Sequence, residues 1–375
     1  MDFSLNEEQQ MLQDSVSKYV AQDYDFETRK AIVADSEGYS KTHWQNFAEL
    51  GWLTVPFLEE DGGFGDRAVD LTVMMQEFGK AIVVEPYIAS LVMAGGAVSA
   101  AGNAAQKEAI LGALMEGSLQ MALAFAEPDS RYRLNHVATT ATQSDSSYII
   151  NGQKSVVLNG GAAQQLVVVV RTSGEVADKS GISLLLVDAN SKGVRKAAYR
   201  TVDGFNAAEF YFDNVEVSET NLLGTEGESL AVLERVIDRA TLAVCAEAVG
   251  AMQVLLNKTV EYTKTRAQFG VPISSFQALQ HRMADMYIEY ELSQSILLMA
   301  AMKVDAADGY DPRAISAAKS RIGKAARLIG QEAVQLHGGV GVTDELDVGH
   351  YFKRLTAIQF LFGSTDHHTR RFQQI

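Results

Sequence analysis

The chain has 375 residues, 47% of them hydrophobic, too long for one simple core and too apolar for disorder, so two or three domains are expected. Its 47 acidic residues outnumber 32 basic ones and leave a formal net charge of -15, which argues against a nucleic-acid partner or an anionic membrane surface. The single cysteine, Cys245, excludes an internal disulfide and a cysteine zinc cluster, and fits a reducing, cytoplasmic compartment.

The opening stretch MDFSLNEEQQ has no basic n-region and no apolar run, so no signal peptide is expected. Residues 1–118 read as a helical domain. Asn6 followed by Gln9 has the form of a capping box, and Leu5, Met11, Leu12, Val16, Tyr19 and Val20 then recur at helical spacing. Further helices are expected around His43–Gly51, Asp70–Ala81 and Gln106–Glu116. Between them FLEEDGGFG (Phe57–Gly65) reads as a turn, because paired glycines permit backbone angles closed to other residues. Ala81–Ala105 carries one charge, Glu85, and reads as a buried helix with no membrane span.

The pattern changes over residues 119–224. Short apolar or alternating runs (MALAF, YII, SVVL, LVVVV, ISLLLV, EFYF) are split by Asn151–Gly152, Asn159–Gly160 and Asp213–Asn214, which read as turns. That spacing predicts antiparallel strands in a barrel or sandwich. No long helix separates the strands and no glycine fingerprint follows one, which contradicts a nucleotide-binding βαβ unit. Residues 225–375 return to the helical period. Ser229–Lys264, Phe276–Ala306 and Asp311–Leu336 are long enough for helices of a bundle, the first spanning on the order of 50 Å. The fold class is mainly α with a middle β domain.

Five motifs follow one another: GWLTVPFLEEDGGFG (Gly51–Gly65), FAEPDS (Phe125–Ser130), YIINGQKSVVLNGG (Tyr148–Gly161), TRAQFGVPISSFQALQHRMADM (Thr265–Met286) and QEAVQLHGGVG (Gln331–Gly341). In these motifs, and in the order helical domain, β-barrel or sandwich domain, C-terminal four-helix bundle, the chain resembles the acyl-CoA dehydrogenase family over essentially its whole length. The resemblance implies a flavoenzyme that binds FAD and an acyl-CoA thioester. A carboxylate would take the α-proton while the β-hydrogen leaves as hydride to the flavin, and electrons would pass on to an electron-transferring flavoprotein. It also implies that Arg266, Gln268, Phe269 and Gln277 hold the nucleotide part of a neighbouring subunit's FAD. Gln335, Leu336, Gly338 and Gly339 would meet its adenine and ribityl groups. The residues suit these parts: Arg266 stands where a helix gives way to a turn, as a guanidinium meeting a pyrophosphate would. Without the resemblance, Arg266 reads as a solvated helix-end cation and Gly338–Gly339 as a helix stop.

The chain departs from the family at three places. In QFLFGSTDHH (Gln359–His368) Gly363 matches the glycine of the family's YEGT pattern, but Phe362 stands in place of its catalytic glutamate and cannot accept a proton. A second location, used by some relatives, falls on Ala240, and its accompanying arginine on Thr241. Glu247, in CAEAVGAMQ, lies seven residues beyond Ala240, nearly two helical turns, so it faces almost the same way about 10 Å along the axis. Its small and apolar neighbours predict a desolvated carboxyl with a raised pKa, which makes it the candidate base. The CAEA context also resembles subunits of bacterial side-chain-degrading dehydrogenases. The competing reading is a buried glutamate paired with an arginine such as Arg282, or an exposed one at a subunit interface.

In the β domain, Val156 and Leu158 replace the family's tryptophan and threonine against the flavin ring. Ala126 replaces a threonine, and DSRYRLNH (Asp129–His136) replaces a glycine-rich loop. A chain that keeps the nucleotide clamp and loses ring contacts suggests an α2β2 heteromer with a homologous subunit, of the type that desaturates bulky, steroid side-chain thioesters. Two other readings stand beside it: a non-catalytic partner that completes an active homologue's flavin site, and a flavoprotein oxidase. The adjacent His367 and His368 diverge on a helix and make a poor metal pair, and His281 and His337 read as structural or cofactor-facing. No G-x-S-x-G or H-E-x-x-H motif supports a hydrolase.

Overall fold

A computed structural model describes residues 4–306 and 310–375. Met1–Phe3, the start of the segment read for a leader, lie outside the described residues. Helix α1 (Glu7–Asp23) opens on the expected box: the Asn6 side chain accepts from the Gln9 N–H at 2.8 Å, and Gln9 Oε1 accepts from the Asn6 N–H at 3.1 Å. Helix α2 (Phe26–Ala34) was not foreseen, since few apolar positions mark it; the Asp25 side chain accepts from the Thr28 N–H at 2.8 Å and starts it. Helices α3 (Lys41–Glu49) and α4 (Ala68–Ala81) lie where the periodicity put them. FLEEDGGFG is a turn, and a Cβ at Gly63 would fall 2.2 Å from the Phe57 carbonyl.

The stretch Ala81–Ala105 is largely buried, as expected, but it is not one helix. Ile82 adopts φ 48 and closes α4, Pro86 then supplies no N–H, and the chain rewinds as a π-helix over Tyr87–Gly95 before α5 (Gly96–Ala101) and α6 (Ala104–Met115).

The middle of the chain is an eight-stranded sheet with strands β1 (Met121–Ala124), β2 (Thr140–Ser144), β3 (Ser147–Leu158), β4 (Gln165–Arg171), β5 (Ile182–Asp188), β6 (Val194–Arg200), β7 (Asn206–Ser218) and β8 (Leu222–Leu223). Their order is β6-β7-β3-β2-β4-β5-β8, and β1 pairs with β4 in parallel, an exception to the antiparallel expectation. Two of the three expected turns lie inside strands and face each other at one bulge. Asn151–Gly152 lies inside β3 and Asp213–Asn214 inside β7, where Asn214 takes φ 49. The two asparagines face one another: the Asn214 N–H donates to Asn151 Oδ1 at 2.9 Å. Bulge and turn ask for the same residue types, because both need a positive φ. Asn159–Gly160 does end β3.

The C-terminal part holds α7 (Leu230–Thr265), a short hairpin of β9 (Ala267–Gln268) and β10 (Val271–Pro272), then α8 (Gln277–Ala306), α9 (Pro312–His337), α10 (Val348–Phe360) and α11 (Thr365–Gln374). Helix α7 is long and apolar enough to cross a bilayer, yet 83% of its most apolar window is buried, which accounts for its composition.

The chain gathers into two compact units. One contains α1, α4, α7 from Thr241 onward, and α8 to α11; the other contains Ile32–Asp66 and Val84–Ala240, with the whole sheet. Within the first, α4 and α7 touch backbone to backbone. A Cβ at Gly79 would fall 2.0 Å from the Glu247 carbonyl oxygen, and one at Gly250 would fall 1.9 Å from that of Gln76. Only glycine allows so close a crossing, and it fixes the helical turn that carries Glu247.

Candidate active site

Helix α7 ends at the residues expected to clamp a nucleotide. The Arg266 N–H donates to the Tyr262 carbonyl at 2.8 Å, and the Arg266 carbonyl accepts from Ile273 at 2.8 Å, closing the β9–β10 hairpin. Phe269 sits at its tip with φ 54 and is 91% exposed. Arg266, Gln268 and Gln277 are exposed as well, and the Arg266 guanidinium has no partner among the described residues. A free guanidinium, two amides and an uncovered aromatic ring form a donor set that fits a pyrophosphate and its nucleotide.

The second expected segment lies at the end of α9. Gln335 is exposed, and Gly338 turns the chain with φ 65 while a Cβ at Gly338 or Gly339 would meet nothing within 4 Å, so a ligand can reach the backbone there. Leu336 corrects the expectation: its side chain is buried in the core, leaving only its backbone for a ligand. Tyr262 joins the two segments. Its ring stacks on His337 at 4.4 Å and its hydroxyl donates to the His337 carbonyl at 3.2 Å. Burial above all lowers the His337 pKa, so the ring is neutral and Nδ1–H donates to the Ala333 carbonyl at 2.8 Å. Nothing in the sequence pattern marked Tyr262.

Glu247 is buried, but it is not alone. Arg354 on α10 grips it in a fork, Nε to Oε1 at 2.5 Å and Nη2 to Oε2 at 2.6 Å, and both side chains are under 6% exposed. The expectation of an unpaired carboxyl in an apolar run fails here, because a residue 107 positions away supplies the counter-charge. Arg282, named as a possible partner, binds Glu332 instead. The fork engages both carboxylate oxygens of Glu247 and ties them to α10.

Phe362 and Gly363 form a braced turn between α10 and α11. Phe362 takes φ 59 and Gly363 φ 128. The buried Lys319 ammonium donates to the carbonyls of Ile358 at 2.7 Å and Gly363 at 2.9 Å, and burial lowers its pKa to about 8. Burial, with Lys319 next in weight, pushes His368 down to about 3, so its ring stays neutral and Nε2–H donates to the Phe362 carbonyl at 3.1 Å. His367 and Arg371 add smaller repulsions. The unfolded chain therefore binds a proton that the folded one refuses below the ordinary histidine pKa of 6.5. Stability from this site is complete above that pH and drains away as pH falls toward the folded value. His368→Gln keeps a donor and an acceptor without a titrating ring. It should remove about 2–3 kcal/mol of the stability lost between pH 7 and pH 4.5. Urea midpoints at both pH values measure this, and parallel acid losses in parent and variant would refute it.

In the sheet, Val156 takes φ 50, a conformation costly for a β-branched residue, and its N–H donates to Glu209 Oε1 at 3.1 Å. The Ser155 N–H donates to the Ala126 carbonyl at 2.8 Å. Val156, Leu158 and Ala126 offer aliphatic surface where the family offers hydroxyls and an indole. The structure thus fits the nucleotide end of FAD and presents no polar or aromatic side chain at these three positions for the flavin ring.

Three family models match in order: the acyl-CoA dehydrogenase N-terminal domain over residues 6–118, the middle domain over 122–215 and the C-terminal domain over 230–374. The chain is 30% identical over 359 residues to the probable acyl-CoA dehydrogenase YngJ of Bacillus subtilis, covering 93% of this chain and 92% of that one. Among solved structures, it matches a chain of the electron transferring flavoprotein work on Acidaminococcus fermentans at 28% identity and TM-score 0.91, covering 100% and 99% of the two chains. It matches a chain of the Tcur3481-Tcur3483 steroid ACAD at 27% identity and TM-score 0.87, covering 99% and 98%.

Proposed function

This chain belongs to the acyl-CoA dehydrogenase family, whose members are FAD-dependent oxidoreductases, and from that premise we propose that it is one subunit of a heteromeric dehydrogenase in which it contributes the nucleotide clamp and not the α-proton base. The observation that carries this reading is the Glu247–Arg354 fork, together with Phe362 and Ala240 at the two places where the family keeps a glutamate. The partner is a homologous subunit in an α2β2 assembly, and the reaction converts an acyl-CoA thioester to its trans-2-enoyl-CoA. FAD, when bound, accepts the β-hydride. Arg266, Gln268, Phe269 and Gln277 hold the nucleotide of the partner's FAD, with Gln335 and the backbone of Leu336, Gly338 and Gly339 beside it.

Likeness to a chain of the Tcur3481-Tcur3483 steroid ACAD supports a bulky thioester, and likeness to a chain described under the electron transferring flavoprotein of Acidaminococcus fermentans supports such a flavoprotein as acceptor. The acidic composition and single cysteine support a cytoplasmic setting. A second reading keeps Glu247 as the base, favoured by its burial on α7; it requires Arg354 to release the carboxylate when substrate binds.

Glu247→Gln in the assembled complex separates the two. Under the first reading FAD stays bound and acyl-CoA bleaches the flavin within about tenfold of the parent rate. A fall of roughly a hundredfold or more with FAD still bound would make Glu247 the base.

A further inference from the structure

The loop between β1 and β2, residues 129–136, is built from consecutive turns. The N–H groups of Ser130, Arg133 and His136 donate to the carbonyls of Glu127, Ser130 and Arg133 at 3.1, 3.0 and 3.2 Å. One buried carboxylate clips its two ends together. Glu127 accepts from the Ala138 N–H at 2.7 Å, the Thr139 N–H at 2.9 Å and the buried Lys154 ammonium at 2.6 Å. Arg171 then donates to the Asn135 carbonyl at 2.9 Å and the Val176 carbonyl at 3.1 Å, which staples the loop to residues 172–181. A loop held at its ends and at each turn loses little freedom when a ligand binds its tip.

That tip carries Arg131 and Arg133. Both are exposed, and neither has a carboxylate partner among the described residues. Arg133 donates one N–H to the Asp129 carbonyl at 3.1 Å, and Arg131 stands with φ 49. Residues two apart have Cα atoms at most about 7 Å apart, so both side chains can close on one phosphate. Acids stand nearby: Asp129 on the loop, Glu175 and Asp178 on the stapled segment, with Lys179 among them. Three bases and three acids exert no net pull on anions at large, so selection falls to the two guanidinium forks. A phosphomonoester matches two forks best, since one phosphorus brings close to two charges and three acceptor oxygens.

We propose that Arg131 and Arg133 bind the 3′-phosphate at the nucleotide end of coenzyme A, so that this chain grips an acyl-CoA handle on its own β domain whether or not it supplies a base. The phosphate site rests on the loop, and the choice of coenzyme A rests on the acyl-CoA dehydrogenase reading. FAD offers no such group, because both of its phosphates are bridged. Ala126, one of the positions assigned to the flavin ring, directly precedes Glu127, so a handle held by this loop runs from the place where a thioester would react.

Calorimetry on the full-length chain without its partner tests this with coenzyme A, 3′-dephospho-coenzyme A and 5′-AMP. Coenzyme A should bind about tenfold or more tightly than its dephospho form, the difference expected when a charge-assisted phosphate contact is lost. 5′-AMP, which carries a phosphomonoester without the rest of the handle, should bind more weakly than coenzyme A. Arg131→Gln combined with Arg133→Gln should erase the preference for coenzyme A and leave the dephospho form bound as before. Arg131→Gln alone should narrow the preference, and serves if the double variant folds poorly. Equal binding of the two coenzyme forms by the parent, or an unchanged preference in either folded variant, would overturn the arginine site. 5′-AMP as tight as coenzyme A would overturn the assignment to coenzyme A. Binding of neither form would overturn the site as well, while the clamp reading stands or falls separately on FAD retention in the assembled complex.

Discussion

Replacing Arg354 by methionine should lower the stability of the protein by about 3–5 kcal/mol, read as a fall in the urea midpoint at unchanged slope. The substitution keeps much of the side chain's volume and removes only the guanidinium. Glu247 is then a buried carboxylate without its fork, on a turn of α7 that Gly79 and Gly250 lock against α4, so it cannot swing out to water. The cost comes from stranding the charge and says little about the net worth of the pair. Glu247→Leu combined with Arg354→Met should therefore recover most of the loss, leaving the double variant within about 1–2 kcal/mol of the parent. A single Arg354→Met that loses less than about 1 kcal/mol would mean that Glu247 is free to act alone, and would revive it as the base.

Local signals in this sequence were reliable where a local force decides the outcome. Asn6 and Gln9 cap α1 through their own side chains, and Asp311 caps α9 by accepting from the Ala314 N–H. The long helices were legible within a residue or so, since Ser229–Lys264 was read and Leu230–Thr265 was found. Bulges were not legible. Asn151–Gly152 and Asp213–Asn214 carry the same positive-φ preference whether the chain reverses or kinks, and only cross-strand pairing chooses. Pro86 inside an apolar run was a stronger break than the hydrophobic pattern around it suggested.

The same distinction runs through the candidate site. The exposed residues at Arg266, Gln268 and Phe269 were readable because they sit together in one short motif. The partner of Glu247 was not, because Arg354 lies on another helix and no spacing rule links them. The losses at Phe362 and Val156 were visible as residue types. Their backbones were not: both take positive φ, as does Phe269 at the hairpin tip.

Arg266→Ala should produce the largest loss of cofactor. Its guanidinium is exposed and has no partner among the described residues, so the fold does not depend on it, and stability without flavin should change by no more than about 0.5 kcal/mol. A charge-assisted contact to a pyrophosphate contributes about 1.5–3 kcal/mol, so FAD affinity should fall roughly tenfold to a hundredfold. Arg266→Lys should fall between, since an ammonium restores the charge but not the fork. If the clamp serves the neighbouring subunit, the deficit has a direction. In a complex built from variant copies of this chain and an unaltered partner, the partner's flavin should be lost while its own fold persists. Full flavin content in that complex would reduce Arg266 to a solvated helix-end cation. The heteromer reading would then rest on the missing base at Phe362 and Ala240, the Glu247–Arg354 fork and the lost ring contacts at Val156, Leu158 and Ala126, which explain why this chain needs a partner but give the partner no reason to need this one.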